Sequence, residues 1–274
     1  MLLTLPRTGR LSYGHTELIH TIRRCGLTSG LKLCLDAGDA NSYSGSGQSW
    51  LDTSGNGYDF FRGATSASAA DDPTFNGTAG RRSSGEYWSF DGGDFFRYDS
   101  ANETWMNNLH KDNAIFSAAA WVYVVNVAAG NDGSVFGTCD HAVTNGVKFI
   151  LDENELPYIA VWSTTGSVLI SGTGTSLGLN AWHFMSVSLD EAVGANGGRF
   201  VIDGTTTTFT STYTSPGTGA AGYTMEIGAG GNAAAAGMMP SGTRMGMLAI
   251  WEGAVLTQTQ LLALYQATRG RFGV

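Results

Sequence analysis

Ile115-Phe-Ser-Ala-Ala-Ala-Trp-Val-Tyr-Val-Val-Asn-Val127 decides how the rest of the chain is read. Trp121, Tyr123 and Val125 alternate with Val122, Val124 and Asn126, so apolar side chains point to both faces over its middle. A strand of that kind must be covered on both sides. Further strands are expected on either side of it, at the spacing of roughly 8–12 residues that marks β-sandwiches. They fall at 31–35, 58–62, 87–90, 147–151, 158–162, 168–171, 182–189, 199–202, 206–210, 224–227 and 246–251. Asp203-Gly204 separates two of them by a pair of residues that tolerate positive φ, the signature of a tight hairpin. Residues 36–83 are loop-rich, and 228–237 are of low complexity and are expected as an exposed loop.

The period changes at both ends. Residues 16–25 place Leu18, Ile19 and Ile22 on one face of a short helix closed by Gly26. Near the C-terminus, Thr257-Gln-Thr-Gln260 is a capping box, with Leu256 and Leu261 at the staple positions. Leu261, Leu264, Tyr265 and Thr268 continue it as one helical stripe that Gly270 ends.

The bulk properties agree with many short strands joined by glycine-rich turns. The chain has 274 residues, 39 of them glycine, and only 14% are charged, well below the usual quarter. Residues 1–24 hold Arg7, Arg10, Arg23 and Arg24 against Glu17 alone, a net +3, while the total is −8 and the remainder therefore −11. A basic arm on an acidic body points to docking on an acidic partner. An acidic body argues against a nucleic-acid partner, which needs a basic face. Three cysteines, Cys25, Cys34 and Cys139, make no disulfide framework and suit a reducing compartment. The short apolar run Leu2 to Leu5 is not a signal peptide, and no 18-residue apolar run predicts a membrane span.

Several segments, in order, resemble the laminin-G-like branch of the concanavalin-A-like superfamily. They are Leu33-Cys-Leu-Asp-Ala-Gly38 with Trp50-Leu-Asp-Thr-Ser-Gly-Asn-Gly57, Tyr87-Trp-Ser-Phe-Asp-Gly-Gly-Asp94, and Phe116-Ser-Ala-Ala-Ala-Trp-Val122. Ala181-Trp-His-Phe-Met-Ser-Val187, Phe200-Val-Ile-Asp-Gly204 and Ile250-Trp-Glu-Gly-Ala-Val-Leu-Thr257 complete the set. The resemblance covers residues 31–274. It implies an all-β, two-sheet antiparallel jelly-roll sandwich with a short C-terminal helix, preceded by an N-terminal extension over residues 1–30. The ending Leu264-Tyr-Gln-Ala-Thr-Arg-Gly-Arg-Phe-Gly273 is similar to tailed-phage virion proteins. Members of the superfamily bind sugars, bind proteins, hydrolyse polysaccharides or act as spacers, so the fold alone does not choose among these roles.

An enzyme of this kind would need paired carboxylates across a sugar cleft. The E-x-D-x-E and E-x-D-x-x-E patterns of the glucanase branch are absent, and Asp152-Glu-Asn-Glu155 reads as a hairpin turn with solvated acids. The five histidines share no ligand spacing, and no nucleophile elbow occurs. No catalytic residue is assigned, and the chain is expected not to be an enzyme. Sugar binding would use loop aromatics, for which Tyr43, Trp50, Tyr58, Trp105 and Tyr213 are the candidates. Asp52, Asn56, Asp91 and Asp94 lie on short loops and are the candidates for calcium, an ion that many laminin-G-like domains hold at one end of the sandwich. The expectation is a virion structural, decoration or fibre protein, assembled in the host cytoplasm. It would attach to other virion proteins through residues 1–30, could be trimeric, and would present the jelly roll to host-surface polysaccharide. The alternative is a secreted or surface carbohydrate-binding module of a polysaccharide-degrading system; an unrecognised glycan-cleaving enzyme is the third reading.

Overall fold

The computed structural model describes residues 16–128, 131–140, 144–232 and 237–274. In chain order, helix α1 (Leu18–Arg24) leads into strands β1 (Leu31–Asp36), β2 (Ser49–Trp50), β3 (Phe60–Arg62), β4 (Thr74–Asn76), β5 (Tyr87–Ser89) and β6 (Phe96–Tyr98). A short helix α2 (Thr104–Asn108) precedes β7 (Ile115–Val124), β8 (Gly133–Gly137), β9 (Gly146–Leu151), β10 (Pro157–Ser163), β11 (Gly166–Gly172) and β12 (Ala181–Asp190). The chain closes with β13 (Gly198–Ile202), β14 (Thr205–Phe209), β15 (Glu226–Ile227), β16 (Arg244–Glu252) and helix α3 (Gln258–Phe272).

Among the described residues these strands form two antiparallel sheets of eight. The first runs β14-β13-β12-β7-β16-β5-β4, with β1 also paired to β16, and the second β11-β10-β9-β8-β15-β6-β3-β2. The expected central strand is β7, flanked by β12 and β16 and buried along most of both faces. One of its faces, Phe116, Ala118, Ala120, Val122 and Val124, joins the core between the sheets, together with Met185, Val187, Phe149, Ile159 and Phe96. The other face, Ala119 and Trp121, packs beneath the helices with Leu18, Ile22, Leu264 and Phe272. The molecule is thus a sandwich with a third, helical layer on the outside of the first sheet.

Two expectations need correction. Residues 1–15 of the proposed arm lie outside the described residues, but residues 16–30 are not a separate zone. Leu18, Ile19, Ile22 and Leu27 share a buried cluster with Cys34, Ala249 and Trp251, and the Trp251 indole N–H donates to the Leu27 carbonyl at 2.6 Å. Nor is the glycine-rich 228–237 loop simply exposed. Residues 228–231 and 237 are buried, because residues 228–231 arch over the outer face of the second sheet. A Cβ at Gly137 would stand 2.6 Å from the Gly230 carbonyl oxygen, so only glycine on β8 admits the arch. The three cysteines are free thiols. No helix among the described residues is long and apolar enough to cross a membrane.

Candidate functional site

Four of the five aromatics expected to meet a sugar are packed inside. Trp50 is fully buried between Trp88 and Phe96, at ring separations of 5.8 and 4.9 Å. Tyr43 lies edge-on to Trp88 at 4.6 Å, Trp105 packs on Tyr58 at 5.6 Å, and the buried Tyr213 hydroxyl donates to the Leu109 carbonyl. No sugar face can stack on rings so enclosed. Tyr58 alone of the five keeps partial exposure. Tyr43, Trp50, Trp105 and Tyr213 all belong to the core between the sheets, Trp50 from strand β2 and Trp105 from α2.

The calcium candidates do not gather. Asp52 Oδ1 accepts from the backbone N–H groups of Cys34 and Ser54, and its Oδ2 accepts from the Ser54 hydroxyl and, at 3.3 Å, the Tyr58 N–H. The Asn56 amide donates to the Leu31 and Lys32 carbonyls. These two residues fix the turn after β2 onto β1, so the Asp52 carboxylate oxygens and the Asn56 side-chain NH2 already have partners. Asp91 and Asp94 share a different turn, in which Asp94 Oδ2 accepts from the Asp91 N–H at 2.9 Å. Burial first, and then the neighbouring Asp91 charge, push the Asp94 carboxyl up to about 7. Among the described residues no group of three or more His, Cys, Asp or Glu side chains is placed to hold a metal ion. Asp152, in the acidic Asp152–Glu155 stretch, accepts from the Asn154 and Leu156 N–H groups, as a hairpin turn requires.

A polar concavity lies where α1 meets the turns that follow β1 and β2. Its place is set by Asp36, at the end of β1. This fully buried carboxylate accepts from the Leu18 N–H at 2.9 Å, which holds the start of α1, and from the Gly38 N–H at 2.8 Å. It also pairs with the Arg271 guanidinium of α3 at 2.6 Å, with both side chains almost wholly buried. Glu17 binds Arg82 and His20 and tethers the helix start from the other side. Between α1 and the turns opens a hollow of about 260 Å³, lined by Ile19, His20, Arg23, Asp39, Asn41, Asp52 and Thr53.

Asp39 is 2% exposed, and its Oδ1 accepts both the backbone N–H and the side-chain amide of Asn41, at 2.8 and 3.0 Å. Its Oδ2 has no hydrogen-bond partner among the described residues. Burial raises the pKa of this carboxyl, and the nearby Asp36 and Glu17 charges raise it further. The hollow therefore offers a carboxylate acceptor, an amide, a hydroxyl and, on the exposed side of α1, Arg23 and His20 as donors. Asp52 lines it as a structural member. Asp39, Asn41 and His20 were not singled out by sequence reasoning, and Arg23 only as part of the basic excess over residues 1–24. Their residue types are ordinary turn and helix-surface ones, and half the site sits on a helix that the expected domain boundary at residue 30 set apart.

The fold is that of a two-sheet jelly roll, and this polar hollow is built from turns and an added helix rather than from a strand-borne carboxylate pair. No family model matches the chain, and no curated protein matches it. Solved structures do. Domain 4 of AbnA, a GH43 extracellular arabinanase from Geobacillus stearothermophilus, solved in complex with arabinotriose, is 18% identical with a TM-score of 0.55, covering 87% of this chain and 99% of that one. Trypanosoma rangeli sialidase in complex with sialic acid is 14% identical with a TM-score of 0.53, covering 89% of this chain and 34% of that one. The receptor-binding domain of botulinum neurotoxin mosaic serotype C/D is 13% identical with a TM-score of 0.57, covering 87% of this chain and 51% of that one. The chain thus spans about a third of the sialidase and half of the toxin domain. At these identities the likeness is one of fold.

Proposed function

We propose that this chain is a carbohydrate-binding domain, without catalytic activity, whose sugar occupies the hollow between α1 and the turns after β1 and β2. The observation that carries the reading is the match of the fold to nearly the whole of an arabinanase domain solved with arabinotriose bound. The hollow supplies the chemistry. Sugar hydroxyls donate to carboxylates and accept from amides and guanidinium groups, and hydrogen bonds to charged groups contribute about 1.5–3 kcal/mol each. At about 260 Å³ the hollow suits the end of a chain or a short saccharide rather than a long oligomer.

A glycan array with the purified protein tests this reading, with titration of any hit against Asp39→Asn and Asn41→Ala and a reducing-sugar release assay alongside. Binding without release is expected, weakened at least tenfold in Asp39→Asn. Release of reducing ends would show an enzyme, and unchanged affinity in both variants would remove the hollow from the reading. Repeating the array with a chelator tests calcium at Asp91 and Asp94.

The finer reading places this domain on a virion, joined to other virion proteins through residues 1–30 and offering its sugar site to a host polysaccharide. Its support is the similarity of the Leu264–Gly273 ending to tailed-phage proteins and the basic excess at the N-terminus. Antibody labelling of purified particles tests it, and label found away from the particle would end it.

A further inference from the structure

A cleft at the far edge of the first sheet takes no part in the proposed sugar hollow. It holds about 220 Å³ and lies between strand β14 and the loop 173–178 that follows β11. The hollow lies by β1, on the other side of β13, β12, β7 and β16. β14 reads Thr205-Thr-Thr-Thr-Phe209. Side chains alternate along a strand, and Phe209 belongs to the core between the sheets, so Thr207 and Thr205 stand on that same core-facing side. In register they lie opposite Phe200, a core residue, and Ile202, which packs against the core. Apolar residues there would close the sandwich. The two threonines leave hydroxyls at its mouth instead, and neither hydroxyl makes a hydrogen bond among the described residues. The floor is aliphatic, because Leu177 and Ile202 both line the cleft and both pack on the core.

The opposite wall is held in place. The Thr173 N–H donates to the Pro157 carbonyl and the Leu177 N–H to the Glu155 carbonyl, each at 3.1 Å. His183 Nε2 lies 2.7 Å from the Gly178 carbonyl, and its Nδ1 lies 2.6 Å from Asp203 Oδ2. Among the described residues that line the cleft, His183 and Asp203 are the only ionisable ones, and they pair with each other. A charged ligand would therefore lose its hydration without gaining a counter-charge. The cleft matches a small neutral molecule with hydroxyls on one side and an aliphatic group on the other. No Phe, Tyr or Trp is among the described residues that line it, so a sugar ring has nothing to stack on. An aliphatic substituent set on Leu177 and Ile202 must anchor the ligand instead.

We infer that this cleft is a second saccharide site, for one neutral sugar residue that carries a methyl group, either as a 6-deoxy sugar or in an N-acetyl substituent. The methyl group seats on Leu177 and Ile202, and ring hydroxyls exchange hydrogen bonds with Thr205 and Thr207. A volume of about 220 Å³, below that of clefts for larger ligands, suits a single residue. The class of ligand rests on the carbohydrate-binding reading. The place does not, since the cleft and the hollow share no lining residue.

The test is methyl NMR of the purified protein, titrated with D-fucose against D-galactose, L-rhamnose against L-mannose, and N-acetylglucosamine against glucose. In each pair only the first sugar carries the methyl group. The Leu177 and Ile202 methyls report the cleft and the Thr53 methyl reports the hollow, so the two sites succeed or fail separately in one spectrum. Saturable shifts at Leu177 and Ile202 are expected with at least one methyl-bearing sugar, at an affinity about fourfold or more above that of its partner. Thr207→Val, which keeps the shape and removes the hydroxyl, should weaken that binding by about two- to tenfold. No shift at Leu177 and Ile202 with any of these sugars would overturn the inference, whatever Thr53 shows. Equal affinities within every pair would overturn it too.

Discussion

His183 on β12 shows how much one side chain can state. Its Nδ1 lies 2.6 Å from Asp203 Oδ2 and its Nε2 lies 2.7 Å from the Gly178 carbonyl, so both ring nitrogens face acceptors. Only the imidazolium donates to both. Burial pulls the pKa of this ring down, but the Asp203 hydrogen bond and charge outweigh it, and the net shift is upward from 6.5. A group with a raised folded pKa stabilises fully below its unfolded value and loses that contribution as pH rises through the folded one. Urea midpoints should therefore fall as pH rises past 6.5, and the fall should shrink in Asp203→Asn; a pH-independent difference between the two proteins would contradict this. Arg271→Met takes the paired cation from the buried Asp36 and leaves it only the Leu18 and Gly38 N–H groups, and an equilibrium unfolding loss of about 3–5 kcal/mol is expected. Trp182 beside His183 is buried as well, and tryptophan in an alternating strand signals burial on its own. Loop aromatics carry no such signal. Trp50, Tyr43 and Trp105 are buried by contacts with residues far along the chain, which no local pattern encodes.

At the scale of elements, periodicity was a good guide wherever the element carried its own pattern. Strands β7, β12 and β16 and the helix after Thr257 fall where alternation and the capping box put them, and both reciprocal bonds of the box form between Thr257 and Gln260. Thr257→Ala should cost about 0.5–2 kcal/mol, read as a lower denaturation midpoint with unchanged slope. Strands β6 and β8 were not foreseen. Phe96–Tyr98 and Gly133–Gly137 are short and carry little pattern of their own, and both are held as strands between two partners, β6 between β3 and β15 and β8 between β9 and β15. The arch over β8 was equally illegible, since a run of small residues looks the same whether it waves in solvent or lies on a sheet. Gly137→Ala should separate the two: with a Cβ 2.6 Å from the Gly230 carbonyl, it should destabilise the domain and speed amide exchange in 228–232, whereas a free loop would tolerate it.

Across the whole molecule, the sandwich is closed at its ends by its own loops and on one side by α1 and α3, which Asp36 and Arg271 join through the interior. The polar hollow exists only because α1 is docked on the strand that begins the jelly roll. The fold class was legible because it rests on a repeated strand pattern. The site was not, because it assembles from residues 19–23 on one side of an expected boundary and 39–53 on the other. The most direct measurement of the central claim is a crystal structure of the protein with the best oligosaccharide hit from the array. Sugar density in the hollow, with a hydroxyl bound to Asp39 Oδ2 and another to the Asn41 side chain or Arg23, is the expected result. Density at any other surface, with the hollow unoccupied, would contradict it.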